Sequence, residues 1–385
     1  MRHMKYHLLA EGDNFSVYRG NAVAKNVATV MRLDDSTAVV SPYSDDSWGF
    51  GPDRILEIPQ LRVYDRIRGR KRLPTWVTGA YFRHIYRPLL SRLKEGDIVW
   101  CHNQPHVSAA LAVPLRARGA KLVFHFHDLW NVQMAQAAFK SFVPDACVFV
   151  SDALRQHVLK LLPWLRNTFI IHNGADPLKF YPPPPGTAHN NPAPVILYVG
   201  RLHPEKGVHV LLDAMRILQK RKVNALCNVV GPSCSRSSRP TRYDKKLLDT
   251  CPSNVQFRGR TLSEEIGEVY RAADISCCPS ICEEGFGNVN IEAMACGVPV
   301  VATRVGGIPE IAAQGGVALV EPNSPTKLAD GLERFIEDKE LRVRTGNQGL
   351  QSFQRRFTWD VFMKKYRDVS DTLTQSKSEA IAGPV

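Results

Sequence analysis

The chain reads as an α/β protein built from two doubly wound, Rossmann-like domains. Three observations predict this. Short β-type runs alternate with longer helical ones from end to end, 385 residues with 44% apolar content exceed what one core ordinarily serves, and a proline-rich stretch interrupts the alternation near the middle. In order, "YHLLA", "TAVVS", "DIVWC", "KLVFHF", "ACVFVS" and "TFIIHN" are the strands of the first half. They are too continuously apolar for a half-wet sheet, so they predict parallel strands with helical crossovers. "GADPLKFYPPPPGTAHNNPAP" follows, with four consecutive prolines and no periodicity, and reads as a linker. "VILYVG", "LCNVVG", "VQFRG", "DISCCP", "PVVAT" and "VALVE" form the second series. The expected division is 1–175, a linker at 176–193, a second domain at 194–358, and 359–385 as a terminal helix returning to the first domain with a frayed tail. In such sheets ligands sit beyond the carboxyl ends of the strands, which places the expected site in a cleft between the two domains.

Composition narrows the function. No apolar run reaches the roughly 18 to 20 residues that span a bilayer, and the amino end lacks the features of a secretion signal, so the expectation is a soluble, cytoplasmic protein. The nine cysteines lie mostly in apolar runs and read as buried thiols. Cys277, Cys278 and Cys282 lack the second pair that zinc spacing requires, and no metal site is expected. The net charge of +13 is uneven, with 23 basic against 14 acidic residues in 1–173 and 27 against 23 in 174–385. Much of the excess lies in residues 66–94, where basic and aromatic residues interleave. An anionic membrane surface or an anionic acceptor would suit this stretch, and so would a plain solvated basic face. Zinc-finger spacing, an RNA-binding aromatic motif and a basic zipper are lacking, which argues against nucleic acid.

The informative stretch is "EEGFGNVNIE". Gly285 and Gly287 allow a sharp turn close to a ligand, and "NVNIEAMACG" reads as a helix whose first amides point back at it. A helix start carries about half a positive charge and suits phosphate, whereas Glu284 and Glu292 suit the hydroxyls of a sugar or ribose.

"EGFGNVNIE" resembles the E-x7-E signature of the retaining glycosyltransferases of the family 4 (group 1) type, which have the two-domain GT-B fold. "YVGRLHPEKGVHVLLDAM", "IHNGADPLKF", "VYRAADISCCPS" and "MACGVPVVATRVGGIPEI" are similar to other segments of that family, so that the resemblance covers nearly all of residues 120–370. It implies that the first domain binds acceptor and the second a nucleotide sugar. Arg201 and Lys206 would hold the diphosphate, Glu292 the ribose and Glu284 the transferred hexose. Backbone amides of Phe286, Gly287, Asn288 and Val289 would meet the sugar and phosphates, and Arg260 would lie near the base. His127, in "FHFHDLW", would stand beyond a strand end near the transferred sugar, with His125 two residues earlier as a core histidine. A metal bound through His125, His127 and Asp128 lacks further ligands in the sequence. His102 and Asn103, together with His127 and Gly20, would line the acceptor side. At the amino end the family's Gly-Gly loop is replaced by Gly20 preceded by Arg19, which alters the usual geometry and offers a cation to an anionic group.

The implied reaction moves a hexosyl group, with retention, from a nucleotide diphosphate sugar to a hydroxyl of a glycan, lipid-linked or small-molecule acceptor. A uridine diphosphate sugar is the favoured donor and guanosine diphosphate mannose the next. No D-x-D motif occurs, so no divalent metal or other cofactor is expected. The basic stretch would permit peripheral attachment to the cytoplasmic membrane face. The rivals are a sugar-nucleotide 2-epimerase of the same architecture, a pyridoxal phosphate-dependent phosphorylase, for which no suitable lysine is found, and a non-catalytic glycan- or membrane-surface-binding protein.

Overall fold

Among the described residues, the alternating runs form two sheets of parallel strands. The structure is a computed structural model, described for residues 3–10, 15, 22–42, 44, 48–59, 75–129, 132–140, 142–184, 193–233, 240–262 and 264–375. One unit comprises Met1–His172 with Met363–Val385, the other Asn173–Phe362. The division falls at 172/173 rather than 175/176, because the start of the compositional linker is tied into the second unit. There the Ala175 amide donates to the Phe357 carbonyl at 3.0 Å, and Phe180 packs edge-on against Tyr270. The second division, at 362/363, falls within the helix Trp359–Gln375.

The first unit contains β1 (Lys5–Leu8), β2 (Thr37–Ser41), β3 (Ile55–Glu57), β4 (Ile98–His102), β5 (Lys121–Phe126), β6 (Ala146–Phe149) and β7 (Thr168–Ile170), in spatial order β3-β2-β1-β4-β5-β6-β7. β2, β4 and β6 are buried along their whole length, as expected of strands covered on both faces. β3 was not foreseen. It is a three-residue edge strand held by pairing to β2, too short for a period to show. The helices Thr75–Ile85 and Arg87–Arg92 follow, and here the basic stretch separates by face. Phe82, Ile85, Tyr86, Leu89 and Leu90 are buried, whereas Arg83, His84, Arg87, Arg92 and Lys94 are exposed. The basic residues of 66–74 lie outside the described residues. No described helix is long and apolar enough to cross a membrane.

The second unit contains β8 (Val195–Val199), β9 (Leu226–Val230), β10 (Val255–Gly259), β11 (Ile275–Cys278), β12 (Val300–Thr303) and β13 (Val317–Val320), in order β10-β9-β8-β11-β12-β13. The helix Val208–Lys220 buries Val208, Leu211, Leu212 and Met215 against Ile196 and Tyr198, with Leu328, Leu332 and Phe335 of the helix Pro325–Glu337 in the same core. Each such side chain contributes on the order of 1.5–3 kcal/mol by leaving water.

Strand order reverses between β1 and β4 in one sheet and between β8 and β11 in the other. At these switch points adjacent loops diverge and leave a crevice at the carboxyl edge, so the loops after β4, β8 and β11 are where a ligand is expected. They carry Asn103, directly after His102 at the end of β4, then Arg201 and Lys206, and Glu284 respectively.

Candidate active site

In the second unit, the loop after β8 is laid onto the loop after β11. Gly207 has φ 72°, and a Cβ there would come 1.9 Å from the Pro279 carbonyl oxygen, so only glycine permits the approach. The Ile281 amide donates to the Glu205 carbonyl at 2.9 Å across the same junction. Lys206 is thereby delivered to Glu284: its Nζ lies 2.5 Å from Oε1. Ser280 donates to the same oxygen at 2.6 Å, and Thr303 at the end of β12 donates to the Ser280 carbonyl at 2.5 Å.

The backbone of Glu284 is held from the other side by the loop after β12. The Gly307 amide donates to the Glu284 carbonyl at 2.9 Å, and at Gly306 (φ 50°) a Cβ would stand 2.0 Å from that oxygen. The carboxylate is therefore fixed by a lysine, a serine and its own clamped backbone. Sequence reasoning assigned Lys206 and Glu284 to different ligand groups, yet the structure joins them as an ion pair. An ammonium has three donors, so this pairing leaves Lys206 capacity for an anion.

Gly287, at φ 94°, begins the helix Asn288–Ala295. Asn290 donates to the Gly287 carbonyl at 3.0 Å, and Asn173 donates to Asn288 Oδ1 at 2.8 Å, which steady the first turn. Phe286 buries its ring against Phe357, with centroids 5.8 Å apart. Gly285 and Val289 are half-buried on the same turn. Glu292, one turn further along, accepts from Tyr270 OH at 2.9 Å. Burial and the neighbouring Glu292 carboxylate push the Tyr270 phenol well above its ordinary value, so it stays a donor. Arg201 is exposed just after β8, with its carbonyl accepting from Tyr198 OH at 2.8 Å, and Arg260 is exposed directly after β10. Glu283 is exposed beside the clamped Glu284.

In the first unit, Asn103 (φ 52°) ties two strand ends together. Its amide donates to the His125 carbonyl at 3.1 Å, its Oδ1 accepts from the His127 amide at 2.9 Å, and its Nδ2 donates to Asp128 at 3.0 Å. His127 stands half-buried directly after β5. The expectation that His102 lines the acceptor side needs correction. It is buried at the last position of β4, and both ring nitrogens are taken, Nε2 by His7 Nδ1 at 2.9 Å and Nδ1 by His127 Nε2 at 2.8 Å. His125 is a buried core residue, as expected. Burial keeps all these imidazoles neutral, with His7 and His127 lowered to about 3 and His102 and His125 also well below the ordinary value. Gly20 and Arg19 lie outside the described residues.

Thr303, Tyr270, Asn173 and His7 escaped sequence reasoning because each acts by contact with a residue far away in the chain, and Ser280, four residues before Glu284, belongs to no spacing that marks it. Gly306 and Gly307 did leave a signal, the "VGG" that follows "VVATR". One nitrogen each from His102, His125 and His127 lies within 4.8 Å of the others, and this is the single cluster of metal-ligating groups among the described residues. The described cysteines are free; burial raises the Cys277 and Cys278 thiols, and Cys282, half-buried beside them, is raised for the same reason.

The chain is similar to known glycosyltransferases. The family model described as glycosyl transferases group 1 matches residues 184–352, and that described as glycosyltransferase family 4 matches residues 34–178. A lipopolysaccharide 1,2-N-acetylglucosaminetransferase of Salmonella typhimurium is 29% identical over 71% of this chain and 72% of its own. A D-inositol 3-phosphate glycosyltransferase of Corynebacterium efficiens is 38% identical over 43% of this chain and 40% of its own. Among solved structures, the Anabaena protein HepE in complex with UDP and glucose aligns with TM-score 0.74 at 20% identity over 97% of this chain and all of its own. A glycosyltransferase from Rickettsia africae aligns with TM-score 0.76 at 19% identity over 98% of this chain and all of its own.

Proposed function

Because the chain belongs to the group 1, family 4 glycosyltransferases and has their GT-B fold, we propose that it transfers a hexosyl unit, with retention, from a nucleotide diphosphate sugar to an acceptor hydroxyl. The observation that carries this reading is the clamped Glu284–Lys206 pair at the head of a helix that presents Glu292 one turn further on. Anion-binding and hydroxyl-binding groups thus alternate along one edge of the second unit. Lys206, Arg201 and the first amides of the helix would meet the diphosphate, Glu284 the hexose and Glu292 the ribose. Arg260 would lie beside the base.

In the transfer, the bond from the anomeric carbon to the diphosphate oxygen breaks and a bond to the acceptor oxygen forms on the same face. The acceptor proton passes to the departing phosphate oxygen, so no strongly basic side chain is needed. The cations stabilise charge that grows on the leaving group, which is where fixed electrostatics contribute most. With no D-x-D motif in the chain, this role falls to Arg201 and Lys206, and turnover is expected to survive chelation of divalent metal.

A uridine diphosphate sugar is the favoured donor, by likeness to a fold neighbour solved with UDP and glucose, and guanosine diphosphate mannose the next. A glycan or lipid-linked acceptor is favoured by the Salmonella relative, and exposed Arg83, Arg87, Arg92 and Lys94 would suit an acceptor at an anionic membrane surface. The test is a panel of nucleotide sugars scored by thermal stabilisation and by nucleotide diphosphate release. A ligand at 100 times its Kd adds about 2.7 kcal/mol. Stabilisation by one base and one sugar is expected, and silence across the panel would end the reading.

A further inference from the structure

A continuous chain of hydrogen bonds crosses the interior of the first unit. Tyr366 OH lies 2.9 Å from His7 Nε2, His7 Nδ1 2.9 Å from His102 Nε2, and His102 Nδ1 2.8 Å from His127 Nε2. The chain begins on the helix Trp359–Gln375, crosses β1 and β4, and ends at the residue after β5. His7 stacks on Trp100 with centroids 5.6 Å apart and 7° between the planes, and Trp100 packs on Tyr366 at 4.7 Å, so the rings cannot turn without disrupting the core. The last ring nitrogen, His127 Nδ1, takes part in no hydrogen bond among the described residues.

We propose that Tyr366, His7 and His102 are positioning residues that hold His127 in the Nδ1–H tautomer, so that it offers a hydrogen-bond donor to the ligand.

The direction follows from proton accounting. A neutral imidazole has one N–H, and each link needs one donor and one acceptor. A phenol is a better donor than acceptor and an imidazole nitrogen the better acceptor, so Tyr366 donates to His7 Nε2. His7 must then carry its proton on Nδ1 and donate to His102 Nε2. His102 in turn carries its proton on Nδ1 and donates to His127 Nε2, which leaves the His127 proton on Nδ1. Burial supports the premise that every ring is neutral: it depresses all three histidines and raises the Tyr366 phenol well above its ordinary value. In this arrangement His127 is a donor toward the sugar or acceptor, and general-base action is closed to it. That use rests on the transferase reading, whereas the tautomer does not.

A divalent cation held by His102, His125 and His127 is the competing arrangement, since His125 Nε2 is buried without a hydrogen-bond partner. It is disfavoured because His102 already uses both nitrogens, in its contacts with His7 and His127.

Nitrogen-15 NMR of the histidine side chains in the full chain decides the matter. The expected spectrum shows His7, His102 and His127 protonated on Nδ1 and bare on Nε2. A His127 protonated on Nε2 would overturn the proposal, as would one equivalent of zinc retained on purification that perturbs the His102, His125 and His127 resonances. Tyr366→Phe keeps the packed ring and removes the terminal donor. His127 should then sample both tautomers, and turnover should fall about three- to tenfold, the weight of one hydrogen bond, with nucleotide affinity unchanged. A His127 spectrum identical to that of the unaltered protein would refute the role of Tyr366. An intact spectrum in a protein that accepts no sugar nucleotide would defeat the transferase reading alone.

Discussion

The two sheets share the order of six strands, with β7 added to the first, and both bring polar side chains to the carboxyl ends of their strands, yet the chemistry there is opposite. The second unit presents charge: Arg201, Lys206, Glu284 and Glu292 around a helix start. The first unit presents rings, His7, His102, His125 and His127, that burial keeps neutral. A diphosphate needs fixed cations, and those cations need carboxylates nearby to hold them. A row of buried imidazoles can orient a hydroxyl group but cannot neutralise a phosphate. The two sheet edges thus differ in which side chains each can keep ionised.

The largest expected effect falls on the charged edge. Lys206→Ala should lower kcat about 100- to 1,000-fold, the usual consequence of losing a preorganised donor to a leaving group, while acceptor KM changes little. It also leaves Glu284 without its cation, so Lys206→Arg should restore part of the rate. Single-turnover rates of nucleotide release measure both variants. Glu292→Ala comes next. Removing a charged hydrogen-bonding partner of the ribose should weaken nucleotide binding by about 2 kcal/mol, read by calorimetry, with a smaller change in kcat. Equal loss in binding and turnover in both variants would erase the proposed difference between Lys206 and Glu292.

The smallest effect per step belongs to the neutral edge and appears in stability. The histidines have folded values below their unfolded one near 6.5, so between those values the unfolded chain binds more protons. Stability therefore falls as pH drops from 6.5 toward about 3, by about 1.4 kcal/mol per pH unit for each histidine that stays neutral. Denaturant unfolding at pH 6.5 and 5.5 measures this, and His7→Phe, which keeps the stack on Trp100, should reduce the slope by one histidine's share.

Legibility in the sequence followed the range of each interaction. β5 and β8 announce themselves as apolar runs because burial on both faces constrains consecutive residues. β3 does not, since a three-residue edge strand exists only through its partner. Glu284 and Glu292 are readable because their spacing is local, across one turn and one helix. Their partners are not. Lys206 precedes Glu284 by 78 residues, and Tyr270 precedes Glu292 by 22.

What the sequence determined by itself is the fold class, the two series of apolar strand runs, the glycines of the turn before Asn288 and the residues that stand at strand ends. These depend on periodicity, backbone freedom and local spacing, all properties of neighbours in the chain. Tertiary structure alone decided that Lys206 rests on Glu284, that Gly306 and Gly307 clamp the same glutamate, and that His102 faces inward to His7 and His127. Side-chain pairing across a parallel sheet depends on which strands become adjacent, and a sequence records that adjacency only after folding has chosen it.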